Sequence, residues 1–170
     1  MRSVIVETMN RNGSSDPIEL RMAEDREQMD IGCVLPGKLG DVCWLDLNKD
    51  GLQGAGEGGI PGVRIEAQRN GVTVAETVTD QYGFYRIPDL YPAEYTLRVT
   101  APAEVKPTVR RTDIPIIASV LEEPDGSVCF AHGVIVESNQ TTYNADLGFV
   151  LLRDGVFPAG YGEGAAQKWQ

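Results

Sequence analysis

Leu39-Gly40-Asp41-Val42-Cys43-Trp44-Leu45-Asp46-Leu47-Asn48-Lys49-Asp50-Gly51-Leu52-Gln53-Gly54-Ala55-Gly56-Glu57 is the stretch that decides how this chain folds. Its first half reads as a β-strand, because Val, Trp and Leu fit a pleated, half-buried surface. Its second half fits the twelve-residue calcium loop at every defining position. A hard cation needs six to eight oxygens, and alternate residues of a tight loop turn their oxygens toward one centre. Asp46, Asn48 and Asp50 supply side-chain oxygens at positions one, three and five. Gly51 permits the sharp turn at position six. Leu52 offers its carbonyl at position seven, Gly54 leaves room for a water at position nine, and Glu57 closes the shell. The cofactor this implies is Ca2+. Without it three carboxylates converge, so the metal is expected to contribute to folding, with Asp46 and Glu57 mattering more than Asn48.

The flanks exclude a helix–loop–helix hand. Val42-Cys43-Trp44 precedes the loop as strand, and Gly58-Gly59-Ile60-Pro61-Gly62 follows it, a run that cannot propagate a helix. The loop therefore connects strands, and no helix pair is available to open as in a calcium sensor.

Outward from the loop the period of two continues. Val63, Ile65 and Ala67 alternate with Arg64, Glu66 and Gln68, the pattern of a half-buried strand. Asn70-Gly71 then signals a tight hairpin, with the return strand over residues 73–79. A short strand over residues 84–87 ends at Pro88. Tyr95, Leu97 and Val99 alternate again. Residues 114–121 and 127–136 flank a second turn at Asp125-Gly126, and residues 142–151 close the set. Many short strands with no long helical period predict an all-β sandwich. Three parts follow: an N-terminal extension or the end of a preceding module over residues 1–36, with weak strand patterns at 4–8 and 18–22 and a charged stretch at 24–30; the sandwich over 37–150; and a Gly-rich C-terminal linker over 151–170.

Composition narrows the function classes. The 170 residues include Gly 19 and Pro 10 and carry a net charge of −10. Such an acidic chain is repelled by phosphate backbones and anionic lipid, which argues against nucleic acid and membrane surfaces as partners. No run approaches the ~20 apolar residues of a membrane span. Residues 1–10 do not read as a signal peptide, so an exported protein would have its targeting and anchoring signals outside this chain. Cys33, Cys43 and Cys129 form no Cys-x-x-Cys pair, and His132 is the single histidine, which argues against a zinc site and leaves at most one disulfide. Buried, small hydrophobic roles suit these thiols; Cys43–Cys129 is the pair for which both partners fall on expected strands. Nothing around His132 forms a nucleophile pattern, and no nucleotide or metal-hydrolase signature is present. The chain is therefore expected not to be an enzyme.

In order, residues 39–46, the loop, Gly59-Ile60-Pro61-Gly62-Val63-Arg64-Ile65, Thr79-Asp80-Gln81-Tyr82-Gly83-Phe84-Tyr85, Leu90-Tyr91-Pro92 leading to Tyr95, and Asn144-Ala145-Asp146-Leu147-Gly148-Phe149 resemble the B-repeats of serine–aspartate repeat surface adhesins of Gram-positive bacteria, close to the Cna B-type fold. The resemblance covers about two thirds of the chain and fits poorly over residues 102–140. It implies an immunoglobulin-like (Cna B-type, prealbumin-like) β-sandwich with an EF-hand-like calcium loop between strands, used as a spacer at the cell surface or wall. Its implied partners are neighbouring modules of the same polypeptide or surface assembly, with a host protein or glycan as the alternative. Cys43 stands where relatives carry an aliphatic core residue. Some Cna B-type modules carry a Lys–Asn isopeptide bond; Trp44 occupies that lysine position, so none is expected here. Asp80 either joins a second metal site or caps the turn before Gly83, the reading its local chemistry favours; Asp41 and Asp146 are the other candidates for that second site. Trp44, Tyr85 and Tyr95 read as core or half-core aromatics and not as a sugar platform. Tyr82, Tyr91 and Tyr161 are the candidates for an exposed cluster that would favour ligand binding. Calcium is expected to fix how the first strand leaves the sandwich, near the junction with residues 1–36.

Overall fold

A computed structural model describes residues 34–111, 120–125 and 128–153. The expected strands at 4–8 and 18–22, most of the one at 114–121, Cys33, Tyr161 and the tail lie outside these residues. Ten strands lie among the described residues: β1 Gly37–Leu45, β2 Arg64–Arg69, β3 Val72–Val78, β4 Phe84–Leu90, β5 Ala93–Thr100, β6 Val105–Pro107, β7 Glu122–Asp125, β8 Val128–Val136, β9 Thr141–Thr142 and β10 Leu147–Leu151.

They form two sheets. One has the order β4-β1-β10-β6, with β9 also paired to β1; the other has the order β3-β2-β5-β8-β7. Leu39, Cys43, Leu45, Leu147 and Phe149 of the first sheet meet Ile65, Ala67, Leu97, Val99 and Cys129 of the second in one apolar core. Burying each large aliphatic or aromatic side chain there contributes roughly 1.5–3 kcal/mol. Alternation sets which residues enter it, since successive side chains of a strand face opposite sides.

The Asn70-Gly71 hairpin forms as its sequence predicts. Arg69 pairs with Val72, and both turn residues have positive φ, 52° and 76°, the signature of the hairpin turn whose twist matches its strands. Asp125 pairs with Val128, which brackets the second expected turn.

Three expectations are corrected. The strand expected to end at residue 87 runs through Pro88 to Leu90. It lies at the edge of its sheet, where a missing N–H removes no ladder bond. The closing strand divides into β9 and β10, both parallel to β1; between them the Ala145 N–H donates to Asp41 Oδ2 at 3.0 Å instead of to a strand. Val120 and Leu121 lie outside any strand, and the partner of β8 begins at Glu122. The outer face of the second sheet carries an ion ladder: Arg64 bonds Glu76 at 2.5 Å and lies 3.7 Å from Glu66, which also pairs with Arg98.

The direction of β1 matters most for the site. Because β1 and β10 are parallel, Gly37 lies at one end of the sandwich, while Leu45 and Leu151 both point to the other. β1 spans nine residues from Gly37 to Leu45, about 26 Å at the usual rise, and the loop begins at its far end. The loop therefore sits at the pole where β10 ends, at the far end of β1 from Gly37.

Candidate metal site

The loop over residues 46–57 winds around the Asp46 carboxylate. Asp46 Oδ1 accepts the N–H groups of Lys49 at 2.6 Å and Asp50 at 3.2 Å. Oδ2 accepts the Gly51 N–H at 2.8 Å and the Thr108 hydroxyl. A carboxylate offers about four lone-pair sites, so this one is matched by four donors. That matters because Asp46 is only 2% exposed, and a buried charge without partners is costly. The Asp46 N–H in turn donates to the Phe149 carbonyl at 2.7 Å, which anchors the start of the loop on β10.

Glu57, 4% exposed, closes the other end. Its Oε1 accepts the Leu47 N–H at 2.9 Å and its Oε2 the Gly54 N–H at 2.7 Å. Between them Asn48 Nδ2 donates to Asp50 Oδ2 at 2.9 Å, Asn48 Oδ1 accepts the Asp50 N–H at 3.1 Å, and Asp50 Oδ1 accepts the Leu52 N–H at 2.8 Å. Asn48 and Asp50 are exposed.

The donor set is all oxygen, the chemistry a hard divalent cation requires. Two observations fit such an ion. Oδ1 of Asp46 holds one short bond and one at 3.2 Å, the long limit of N–H···O geometry. A Cβ placed on Gly54 would stand in ordinary contact with the Glu57 carboxylate, at 3.5 Å, so position nine faces the residue that closes the loop. Asp46, Asn48, Asp50 and Glu57 through side chains, and Leu52 through its carbonyl, are the residues that would hold the ion. Among the described residues no three His, Cys, Asp or Glu side chains gather around one point; in this structure the carboxylates turn to the loop's own amides.

The outer wall of the loop is one the sequence did not reveal. Residues 108–111 run behind it. Thr108, 8% exposed, donates its N–H to the Gly148 carbonyl at 3.0 Å and its hydroxyl to Asp46. Arg111 Nη1 donates to the Asp50 carbonyl at 3.2 Å. Gly51 has φ +76°, and a Cβ there would lie 2.4 Å from the Val109 carbonyl oxygen. Gly51 is thus required twice, for the turn and for this close approach. No local motif marks Thr108; only the fold brings it to Asp46.

The second candidate set does not assemble. Asp80 is exposed, and its Oδ1 accepts the Tyr82 N–H at 2.9 Å and the Phe84 N–H at 3.0 Å, the capping arrangement. Asp41 and Asp146 are buried. Asp41 Oδ1 accepts the Val42 N–H at 3.1 Å, and the Tyr85 hydroxyl donates to the Ala145 carbonyl at 2.7 Å. Burial first, then Asp41, Cys43 and Asp146, push the Tyr85 phenol well above its ordinary range.

Cys43 and Cys129 are both buried free thiols, so the Cys43–Cys129 bridge is not formed. Burial, then Cys129, Asp41 and Asp146, raise the Cys43 thiol well above its ordinary value; burial pushes Cys129 up to about 12. Trp44, Tyr85 and Tyr95 are buried, as expected of core aromatics. Trp44 packs against Gly148, where a Cβ would lie 2.6 Å from its ring.

The SdrD B-like domain family matches residues 37–149. Serine-aspartate repeat-containing protein E of Staphylococcus aureus (strain MSSA476) is 34% identical over 137 residues, 79% of this chain and 11% of that protein. Bone sialoprotein-binding protein of Staphylococcus aureus (strain MRSA252) gives the same identity and coverage. The chain thus spans about a ninth of the length of these relatives. Among solved structures, GBS52, the minor pilin of Streptococcus agalactiae, aligns with a TM-score of 0.39 at 14% identity, over 74% of this chain and 49% of that one. The family match covers most of the chain and contains both the sandwich and the loop: this chain belongs to the SdrD B-like domain family.

Proposed function

We propose that this chain is a calcium-stabilised, non-catalytic spacer module of a bacterial cell-surface adhesin, with neighbouring modules of the same polypeptide as its main partners. The observation that carries this reading is the Asp46–Glu57 loop. Its first and last carboxylates are buried, its ligand types stand at the spacing of a calcium loop, and it is anchored to β10, the strand that ends at the same pole. A cation there would replace carboxylate repulsion with a shared centre and remove freedom from a Gly-rich loop. Stiffening would then be felt at the end of β10, toward a following module.

Two measurements test this. Calcium should raise the melting temperature and chelator should lower it; an unchanged curve together with no bound calcium by elemental analysis would sink the reading. In a two-module protein with the following module attached, small-angle scattering should give a longer, narrower particle with calcium. Equal dimensions with a responsive melting temperature would reduce the metal to a local stabiliser.

The ligand-binding alternative draws less support. Tyr82 and Tyr91 are each about half exposed, at 48% and 49%, but they do not cluster. Tyr82 lies in the turn before β4, and Tyr91 follows its other end, under Arg69 at 4.8 Å from the ring centroid.

A further inference from the structure

We infer that Thr108 is a positioning residue for the metal loop, a part of the site that the twelve-residue pattern does not contain. The inference rests on the calcium reading above and adds to it a residue 62 positions away from Asp46.

Three observations converge on Thr108. Its hydroxyl donates to Oδ2 of Asp46, the same oxygen that receives the Gly51 N–H at 2.8 Å. Two donors on one oxygen fix the plane of the carboxylate and leave Oδ1 facing the loop amides of Lys49 and Asp50. Thr108 is itself held: its N–H donates to the Gly148 carbonyl at 3.0 Å, its methyl packs where a Cβ on Gly148 would lie 2.7 Å away, and it is buried. Its neighbours hold the same wall, through the Val109 carbonyl against Gly51 and Arg111 on the Asp50 carbonyl.

The physical consequence concerns orientation. Asp46 is the first residue of the loop and its most buried ligand. A carboxylate free to rotate loses part of its binding free energy to ordering, whereas one held by a fixed hydroxyl does not. Partners that orient metal ligands typically matter by about 10- to 100-fold in affinity. Threonine suits the task because its branched side chain is stiff at χ1, so backbone anchoring passes directly to the hydroxyl. Thr108 also joins the loop to β6 and β10, which pair beside it through Pro107 and Phe149.

The test is calcium titration calorimetry on the whole chain for four proteins: the parent, Thr108→Val, Thr108→Ser and Thr79→Val. Thr108→Val keeps the shape and removes the donor, and should weaken calcium binding by about tenfold or more. Thr108→Ser keeps the donor and should restore most of the affinity. Thr79→Val removes another buried hydroxyl, bonded to the Ile60 carbonyl at 2.7 Å, and should lower stability while leaving affinity unchanged. Parent affinity in Thr108→Val, or an equal loss in Thr79→Val, would overturn the inference while leaving the calcium reading intact. No calcium binding by the parent would overturn both. If Thr108→Val does not fold, Thr108→Ala takes its place: a loss of about tenfold or more supports the role, and parent affinity refutes it.

Discussion

Asp46 and Asp80 each organise a turn, and they do so on different scales. Asp80 is exposed and accepts two N–H groups, both from residues two and four positions on. Asp46 is buried and accepts three from its own loop and a fourth from Thr108, across the fold. One carboxylate shapes a turn; the other joins a turn to the rest of the sandwich. Solvent decides the difference. Water can replace the partners of an exposed aspartate, whereas the donors around a buried one stay unpaired when it is removed.

The largest effect should therefore come from Asp46→Ala. Loss of a buried acceptor with four donors is expected to cost about 3–4 kcal/mol, read as a lower urea midpoint in calcium-free buffer. A cost no greater than that of Asp80→Ala would break the comparison. Calcium should rank next: at tenfold excess over the dissociation constant it adds about 1.4 kcal/mol per site. That gain should vanish in Asp46→Ala and persist in Asp80→Ala, and its persistence in both would move the ion elsewhere. Asp80→Ala itself should cost about 1 kcal/mol, with no change in calcium response. The smallest effect is expected for Asn48→Ala, about 0.5 kcal/mol without calcium, since Asn48 is exposed and bonds only within the loop. A larger loss there would mean that the loop's surface holds its shape more than its buried first residue does.

The contrast also explains what was legible in the sequence. The Asn70-Gly71 hairpin, the Asp80 cap and the loop pattern are local: the residues that form each bond lie within a dozen positions of one another. The period of two in residues 63–68 marks its buried side chains directly. β6 was not legible, because three residues ending in Pro107 carry no pattern and owe their strand geometry to β10. Thr108 was invisible for the same reason. The split between β9 and β10 was hidden because Asp41, more than 100 residues before Ala145, fills the gap. Pro88 misled because proline ends a central strand but not an edge one, and edge position is a property of the sheet. The pole at which the loop sits was not legible, because it depends on the parallel pairing of β1 with β10, which neither strand's sequence contains.

That parallel pairing has a mechanical consequence. β1 is the first described strand and β10 the last, and they lie side by side with Cys43 opposite Leu147, Trp44 opposite Gly148 and Leu45 opposite Phe149. Tension applied at Gly37 and Leu151 pulls the two strands along their own axes in opposite directions. The bonds between them are then loaded in shear and share the force, whereas an antiparallel pair pulled from its open ends would peel one bond at a time. The anchor from Asp46 to Phe149 lies at the end of this same seam, so whatever tightens the loop also fastens the line along which the module would have to tear.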